Sequence, residues 1–163
     1  MKEKMNVELL HLFVSPGHDF KGRHGMEALS HGVVDEEGIE CVAGSGIQGD
    51  RYFDFKEDFK GQITFFDASV YEAVKENFEL PDLGAEAFRR NVIVKGVDLN
   101  SLIGKKFRIG EVEFEGSEEA APCHWMDDAC ADGVHEFLKG NGGLRARIRV
   151  GGTLKKGAGE LEV

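Results

Sequence analysis

Apolar and polar residues alternate with period two along many short segments of the chain, which is the pattern of strands with one buried face. The run Gly110-Glu111-Val112-Glu113-Phe114-Glu115 alternates apolar with acidic residues, and Leu144–Val150 alternates apolar residues with arginine. Turn residues, mostly glycine, separate these segments. The pattern predicts strands over residues 7–14, 39–42, 62–66, 91–95, 106–109, 111–115, 145–150 and 160–163.

Two segments follow the helical period instead. Residues 68–78 place Tyr71, Val74 and Phe78 on one face, with Asp67 as the expected N-cap. Residues 133–139 form the second predicted helix, with Asp132 as N-cap and Gly140 just after its end. Short strands, frequent turns and few helices predict a mainly β (α+β) domain, barrel-like and with a few short helices. Because no linker, repeat or low-complexity tract divides the chain, we expect a single domain over residues 1–163.

Composition narrows the function classes. The 163 residues are 41% hydrophobic, enough for a sizeable core, and the net charge of −10 argues against binding to nucleic acid or to anionic membranes. The chain starts without an apolar leader and no apolar run reaches membrane-spanning length, so we expect a cytoplasmic protein. Three cysteines are too few for a disulfide framework, which fits a reducing compartment. Because the net charge is negative, any anion site in this chain must be a local concentration of arginine.

Cys123 is the strongest candidate for chemistry. It follows an extended segment, and Pro122 fixes its own φ and biases Ala121 towards extended geometry, so the thiol is delivered on a defined path. Nearby carboxylates would raise the pKa of this thiol: Glu118, Glu119, Asp127 and Asp128. Cationic groups from elsewhere in the fold, or a metal, must therefore activate it. A zinc site from Cys123, His124, Cys130 and His135 is conceivable, but the spacing is not a usual one for zinc ligands.

The segment Gly44-Ser45-Gly46-Ile47-Gln48-Gly49-Asp50-Arg51 contains the letters of a dinucleotide-binding fingerprint, G-x-G-x-x-G. No amphipathic helix follows it and no βαβ rhythm surrounds it, so we set the dinucleotide interpretation aside. Two interpretations remain open. The glycines serve turns that need positive φ, or the loop lines a pocket with its backbone N–H groups, with Asp50 and Arg51 held as an ion pair that shapes it.

Two groups of arginines precede or occupy strands. Arg89, Arg90 and Asn91 stand immediately before a strongly β-forming run, where guanidinium groups suit a bidentate grip on phosphate or carboxylate, although solvated surface pairing is equally compatible with the pattern. Alternation puts Arg145, Arg147 and Arg149 on one strand face. For these the favoured interpretation is a cross-strand charge ladder with the acidic run Glu111, Glu113 and Glu115.

Taken in order, these motifs resemble the MOSC domain family, named for the C-terminal domain of molybdenum cofactor sulfurases. The resemblance is carried by G-x-x-G-D-R, R-x-N before a strand, Val94-Lys95-Gly96-Val97-Asp98-Leu99, Ile103-Gly104, Arg108-Ile109-Gly110, Pro122-Cys123 and Gly-Gly-Leu-Arg-Ala-Arg at residues 142–147. It runs from about residue 7 to residue 163. Relatives of the reductase type often carry a hydroxyl residue at the position of Ala121.

The resemblance implies a β-barrel-like domain that binds a molybdenum cofactor, a pyranopterin dithiolene ending in phosphate. Cys123 matches the family cysteine that coordinates the metal or carries sulfur, so it is both the implied metal ligand and the implied catalytic residue. Arg89 and Asn91 match the residues that grip the cofactor, and Gly49, Asp50 and Arg51 match the glycine loop. A soft thiolate suits a thiophilic metal, and arginine with loop amides suits phosphate.

Two functions of different class follow from the resemblance. The first is a molybdenum-dependent oxidoreductase that reduces small N-hydroxylated or related N–O compounds, with electrons from a partner protein because the chain has no iron–sulfur cysteine cluster. The second is a non-catalytic sulfur carrier or cofactor carrier that uses the same cysteine and meets a sulfur-transfer or cofactor-biosynthesis protein. We favour the enzyme because a fused sulfur-abstracting domain is lacking.

Overall fold

The computed structural model describes residues 3–15, 33–122 and 125–163. Eleven strands and three α-helices are found in these ranges. The strands are β1 (Lys4–Val14), β2 (Val34–Asp35), β3 (Gly38–Val42), β4 (Gly46–Ile47), β5 (Ile63–Asp67), β6 (Val92–Lys95), β7 (Lys106–Ile109), β8 (Val112–Glu119), β9 (Leu144–Val150), β10 (Gly152–Lys155) and β11 (Gly157–Glu162). The helices are α1 (Ala68–Asn77), α2 (Trp125–Ala129) and α3 (Val134–Phe137), and 3₁₀ turns span Ala85–Phe88 and Leu99–Leu102.

Seven strands close into a barrel in the order β1-β11-β7-β8-β9-β5-β6. Closure depends on the length of β1, because its first half pairs with β11 and its second half with β6. A register shift between Leu9 and His11 lets β1 pass from one neighbour to the other. Strands β5 and β6 are parallel, the other barrel pairs are antiparallel, and β3, β4 and β10 form a separate three-stranded sheet. The predicted barrel-like, mainly β fold is confirmed.

Two hydrophobic cores lie on opposite sides of the barrel wall. The interior is filled by large residues such as Phe65, Phe107 and Phe114, whose rings pack edge-on or stacked at 5.3–5.6 Å. Outside, the other faces of β5 and β6 present Phe66 and Ile93 to the helices. Strands that are buried on both faces carry continuous apolar runs rather than alternation, and β5 and β6 do so.

The predicted strands are all present, with ends that move by a few residues. The first helix is confirmed, because the Asp67 carboxylate accepts from the Ser69 amide at 2.9 Å as an N-cap does. The N-cap prediction for the second helix was wrong. Helix α3 begins after Gly133, which has φ of +96°, and the cap comes from α2, where the Asp127 carboxylate accepts from the His135 amide at 2.8 Å.

None of the helices in the described ranges is long and apolar enough to span a membrane.

Candidate functional site

The ends of four barrel strands meet at one rim of the barrel. The register places Val92 opposite both Leu12 and Phe65, and Leu144 opposite both Phe65 and Glu119. The end of β1, the start of β6, the start of β9 and the end of β8 therefore lie at one level, although they are far apart in sequence. This arrangement gathers the glycine loop, the R-x-N segment and the approach to Cys123.

The glycine loop is fastened to the end of β1 through Asp50. Its buried carboxylate accepts from the Ser15 amide at 3.1 Å and the Tyr52 amide at 3.3 Å, and the Arg51 amide donates to the Ser15 carbonyl at 2.7 Å. The Arg51 guanidinium lies 3.3 Å from Asp50 Oδ1, so the predicted ion pair is confirmed. Because the Arg51 side chain is only 10% exposed, this pair is held in a fixed geometry.

The glycines of this loop serve turns. Gly44, Gly46 and Gly49 all have positive φ, and Gly46–Ile47 is a short strand of the small antiparallel sheet. The turn interpretation is therefore confirmed, and the antiparallel surroundings agree with setting the dinucleotide fingerprint aside.

Arg89 links the end of β1 to the glycine loop. Its Nη2 donates to Ser15 Oγ at 2.9 Å, and its carbonyl accepts from Arg51 Nη2 at 3.1 Å. The residue ends the Ala85–Phe88 turn with φ of +57°, in the left-handed region that costs a non-glycine residue about 1 kcal/mol. That backbone turn directs the side chain towards the end of β1 instead of along β6. Left-handed residues of this kind are enriched at functional sites.

Arg90 grips the segment that leads to Cys123. Its Nε donates to the Gly142 carbonyl at 2.9 Å, and its Nη2 lies 3.0 Å from the Ala120 carbonyl and 3.4 Å from that of Ala121. One guanidinium therefore joins the end of β8 to the start of β9.

Asn91 lies inside the wall and not on the surface of the rim. Its Oδ1 accepts from the Thr64 amide at 3.0 Å and from Thr64 Oγ1 at 3.1 Å, and its Nδ2 donates to the Phe13 carbonyl at 3.1 Å. The residue is 3% exposed. Its side chain ties β1, β5 and β6 together, and its predicted contact with a cofactor stays a prediction.

A small depression opens at this rim, lined by Phe13, Val14, Ser15, Val33, Arg51, Arg89 and Arg90. We call Ser15, Asp50, Arg51, Arg89 and Arg90 the rim site. Three guanidinium groups in a chain of net charge −10 form the local concentration of arginine that an anion site requires here. A larger cavity of about 370 Å³ lies between β7, β10 and β11, but none of the residues predicted for the site lines it.

Cys123 and His124 lie outside the described residues, so the predicted sulfur ligand is located only by the segment before it. Ala120 is buried, and its amide donates to the Gly143 carbonyl at 2.8 Å. The zinc hypothesis depends on the same two residues and stays untested. Of its other two ligands, Cys130 is half-buried, and burial together with the Asp127 charge raises its thiol pKa to about 11. The described part of the chain contains no cluster of three or more His, Cys, Asp or Glu side chains that could hold a metal ion.

Arg145 and Arg149 of β9 pair with acidic residues of β8 on the outer face, so the predicted cross-strand charge ladder is confirmed in part. Arg149 pairs with Glu115 on β8 through Nε at 2.8 Å, and Arg145 Nη1 lies 3.3 Å from Glu118 Oε1. The Arg149 side chain, through its hydrogen bond and its charge, lowers the pKa of Glu115 despite the opposing effect of desolvation. Arg147 pairs instead with Asp58 at 3.0 Å. Of the predicted acidic partners, Glu115 takes part, whereas Glu118 and Asp58 are partners that were not predicted.

Sequence reasoning missed Ser15 and the clamp made by Arg90. Ser15 follows directly on β1 and precedes Pro16 and Gly17, a turn signal that marks a strand end but does not mark a polar contact. Arg90 carries no signal beyond its neighbours, because its acceptors are backbone carbonyls 30 and more residues away.

Comparison with solved structures shows the same fold. The YuaD protein from Bacillus subtilis covers 99% of this chain and 98% of its own, with 17% identity and a TM-score of 0.79. YiiM from Geobacillus stearothermophilus covers 96% of this chain and 75% of its own at 16% identity and a TM-score of 0.70. YiiM from Escherichia coli covers 98% and 69% at 16% identity and a TM-score of 0.65.

No curated protein matches the sequence significantly. The family model described as MOSC domain matches residues 21–158, nearly the whole chain. The chain therefore belongs to the MOSC domain family.

Proposed function

We propose that this protein binds a molybdenum cofactor at the rim site and reduces small N-hydroxylated or related N–O compounds with electrons from a partner protein. The observation that carries the proposal is the convergence of Arg51, Arg89 and Arg90 on the rim where the segment leading to Cys123 is fastened. An anion-binding end and a soft sulfur ligand at one rim are the two features that such a cofactor requires.

The donors of the rim site fit the phosphate end of the cofactor. Guanidinium groups offer planar pairs of N–H donors that match phosphate oxygens, and those of Arg51 and Arg89 are held by partners in the fold. Pre-ordered donors lose less side-chain entropy when an anion binds. Arg51 and Arg89 would hold the phosphate end, with Arg90 keeping the adjoining segment in place.

Cys123 would hold the metal end. A thiolate is the protein ligand that a soft metal prefers, and metal binding removes the proton from the thiol. This answers the difficulty posed by the acidic residues around Cys123, since a coordinated sulfur does not need a low thiol pKa of its own. When bound, the cofactor supplies two-electron redox chemistry and the site at which an oxygen atom leaves the substrate.

The reaction has a simple balance. The N–O bond of R–NH–OH breaks, two electrons arrive from the partner protein, and two protons from solvent complete R–NH₂ and water. A partner protein is the proposed source of these electrons, and it carries its own redox group.

Metal analysis tests the binding part of the proposal. The full chain is expressed in a host that makes the cofactor, and molybdenum per chain is measured for wild type, Cys123→Ala and Arg89→Gln. Arg108→Gln on the outer surface of β7 is the matched control, since it removes the same charge far from the rim site. We expect molybdenum in wild type and in the control, with a loss of about tenfold or more in the two site variants because each loses a charge-assisted or covalent contact. Wild-type protein without molybdenum would count against the proposal.

An activity assay separates the enzyme from the carrier. Reduction of an N-hydroxylated base is followed with a chemically reduced viologen as electron donor. Turnover that depends on Cys123 supports the oxidoreductase. Bound molybdenum without turnover would instead favour a carrier of sulfur or cofactor. Zinc that depends on both Cys123 and Cys130 would overturn both.

A further inference from the structure

We infer that Arg90 is a positioning residue whose guanidinium clamps three backbone carbonyls and so fixes the course of residues 120–122, the segment that delivers Cys123. The importance of this segment for Cys123 rests on the proposed function. The clamp itself is independent of it.

The clamp joins two chain segments just beyond the place where the ladder between β8 and β9 ends. The ladder between β8 and β9 ends with Glu119 opposite Leu144, followed by one more bond from the Ala120 amide to the Gly143 carbonyl. The chain then leaves the sheet towards Cys123. Arg90 reaches across from the start of β6 and donates to Gly142 on one side and to Ala120 and Ala121 on the other.

The fork of the guanidinium is what makes this possible. Its Nε and Nη2 donors are rigidly coplanar, so they set the separation of the two segments as well as joining them. A lysine at this position would retain the positive charge but offers a single ammonium on a flexible stem. The clamp therefore depends on shape, whereas attraction for an anion depends on charge.

The packing of Gly142 is a second, independent sign that this approach is close. A Cβ on Gly142 would lie 2.1 Å from the Ala120 carbonyl oxygen and 2.8 Å from Pro122 Cδ. Both neighbours belong to the segment that Arg90 holds. Only glycine allows the chain just before β9 to contact that segment, so the two segments that Arg90 joins are in direct contact at Gly142.

The test compares Arg90→Lys, which keeps charge and loses the fork, with Arg90→Met, which loses both. Arg108→Lys on the outer surface of β7 is the matched control. Amide hydrogen exchange of the purified full chain is measured residue by residue by NMR, with attention to the Ala120 amide. The rate of Cys123 alkylation by iodoacetamide is followed in parallel by peptide mass spectrometry.

We expect both Arg90 variants to speed exchange at Ala120 by about tenfold or more, because both lose the paired donors of the fork, while the bond from the Gly142 amide to the Glu119 carboxylate at 3.2 Å remains. The rate of Cys123 alkylation rises in the same two variants. Amides in the middle of the barrel, such as that of Phe114, keep their wild-type rates, as does every amide of the control. Wild-type exchange at Ala120 in Arg90→Lys would overturn the inference, since charge alone would then suffice.

Gly142→Ala keeps the inference testable if the Arg90 variants do not fold. The added methyl overlaps the Ala120 carbonyl and Pro122, so residue 142 and residues 120–122 must move apart while the Arg90 side chain is unchanged, and exchange at Ala120 rises as in the Arg90 variants. Gly159→Ala is its control, because among the described residues a Cβ there meets Ile109 Cγ2 alone, at 3.9 Å. Unchanged exchange at Ala120 in Gly142→Ala would overturn the inference. Molybdenum missing from wild type would refute the proposed function and leave this result intact.

Discussion

Replacing Asn91 with alanine should destabilise the barrel by about 3 kcal/mol. The side chain satisfies the buried Thr64 amide and the Phe13 carbonyl, which lie on two different strands. A buried backbone group that loses its only partner costs about 1–3 kcal/mol, so two such groups give about 2–6 kcal/mol. We take the lower half of that range because the surrounding structure relaxes in part around the space that the side chain leaves.

Urea unfolding followed by circular dichroism measures this loss. With a urea dependence of about 1–3 kcal/mol per molar for a chain of this size, the midpoint should fall by roughly 1–3 M with little change of slope. The matched control is Asn100→Ala, whose exposed side chain makes a single bond to the Gly140 carbonyl at 2.9 Å, and which should cost less than about 1 kcal/mol. A midpoint for Asn91→Ala no lower than that of Asn100→Ala would refute the assignment of Asn91 as a tie between strands.

At pH 8 iodoacetamide should label Cys41 and Cys130 slowly in the folded chain, because burial raises their thiol pKa to about 12 and about 11, and peptide mass spectrometry should show fast labelling only after unfolding in urea. Glu115→Gln should cost less than about 1 kcal/mol, and 1 M salt should shrink the difference from wild type in urea unfolding, because the ion pair lost is an exposed one. Burial by itself would raise the pKa of Asp35, but the hydrogen bonds that it accepts, above all the one from His11, lower this pKa overall. Asp35→Asn should therefore destabilise the folded chain at pH 7. That penalty should fade below about pH 4, as wild-type Asp35 is protonated; a penalty that does not change with pH would contradict it.

The sequence predicts the regular part of the fold well and the closure of the barrel poorly. Alternation of apolar and polar residues over 106–109, 111–115 and 145–150 identifies β7, β8 and β9, because each strand has one buried and one solvent-facing side. Strands β2 and β4 have two residues each, too short for any period to appear. The pairing of β1 with β11 joins the two ends of the described chain, and no local pattern encodes such a distant contact.

The site, like the fold, can be predicted from the sequence only in part. Residue type and order suggest that Arg51, Arg89 and the Cys123 segment belong together, and the described residues do converge at one rim. Yet Arg89 and Asn91 stand two positions apart with different surroundings, one on the rim and one inside the wall. The difference arises from the left-handed backbone at Arg89, which depends on the turn before it and on contacts with β1. Strand periodicity alone would place both side chains on one face.

Ligation of molybdenum by Cys123 is the central claim, and X-ray absorption at the molybdenum edge tests it most directly. The spectrum is recorded for wild type and for Cys123→Ser, which replaces the sulfur with oxygen at nearly constant shape. The proposed function predicts one fewer sulfur neighbour around molybdenum in the variant, with the cofactor's own sulfurs unchanged, or loss of the metal altogether. Full molybdenum content with the same number of sulfur neighbours in both proteins would contradict it.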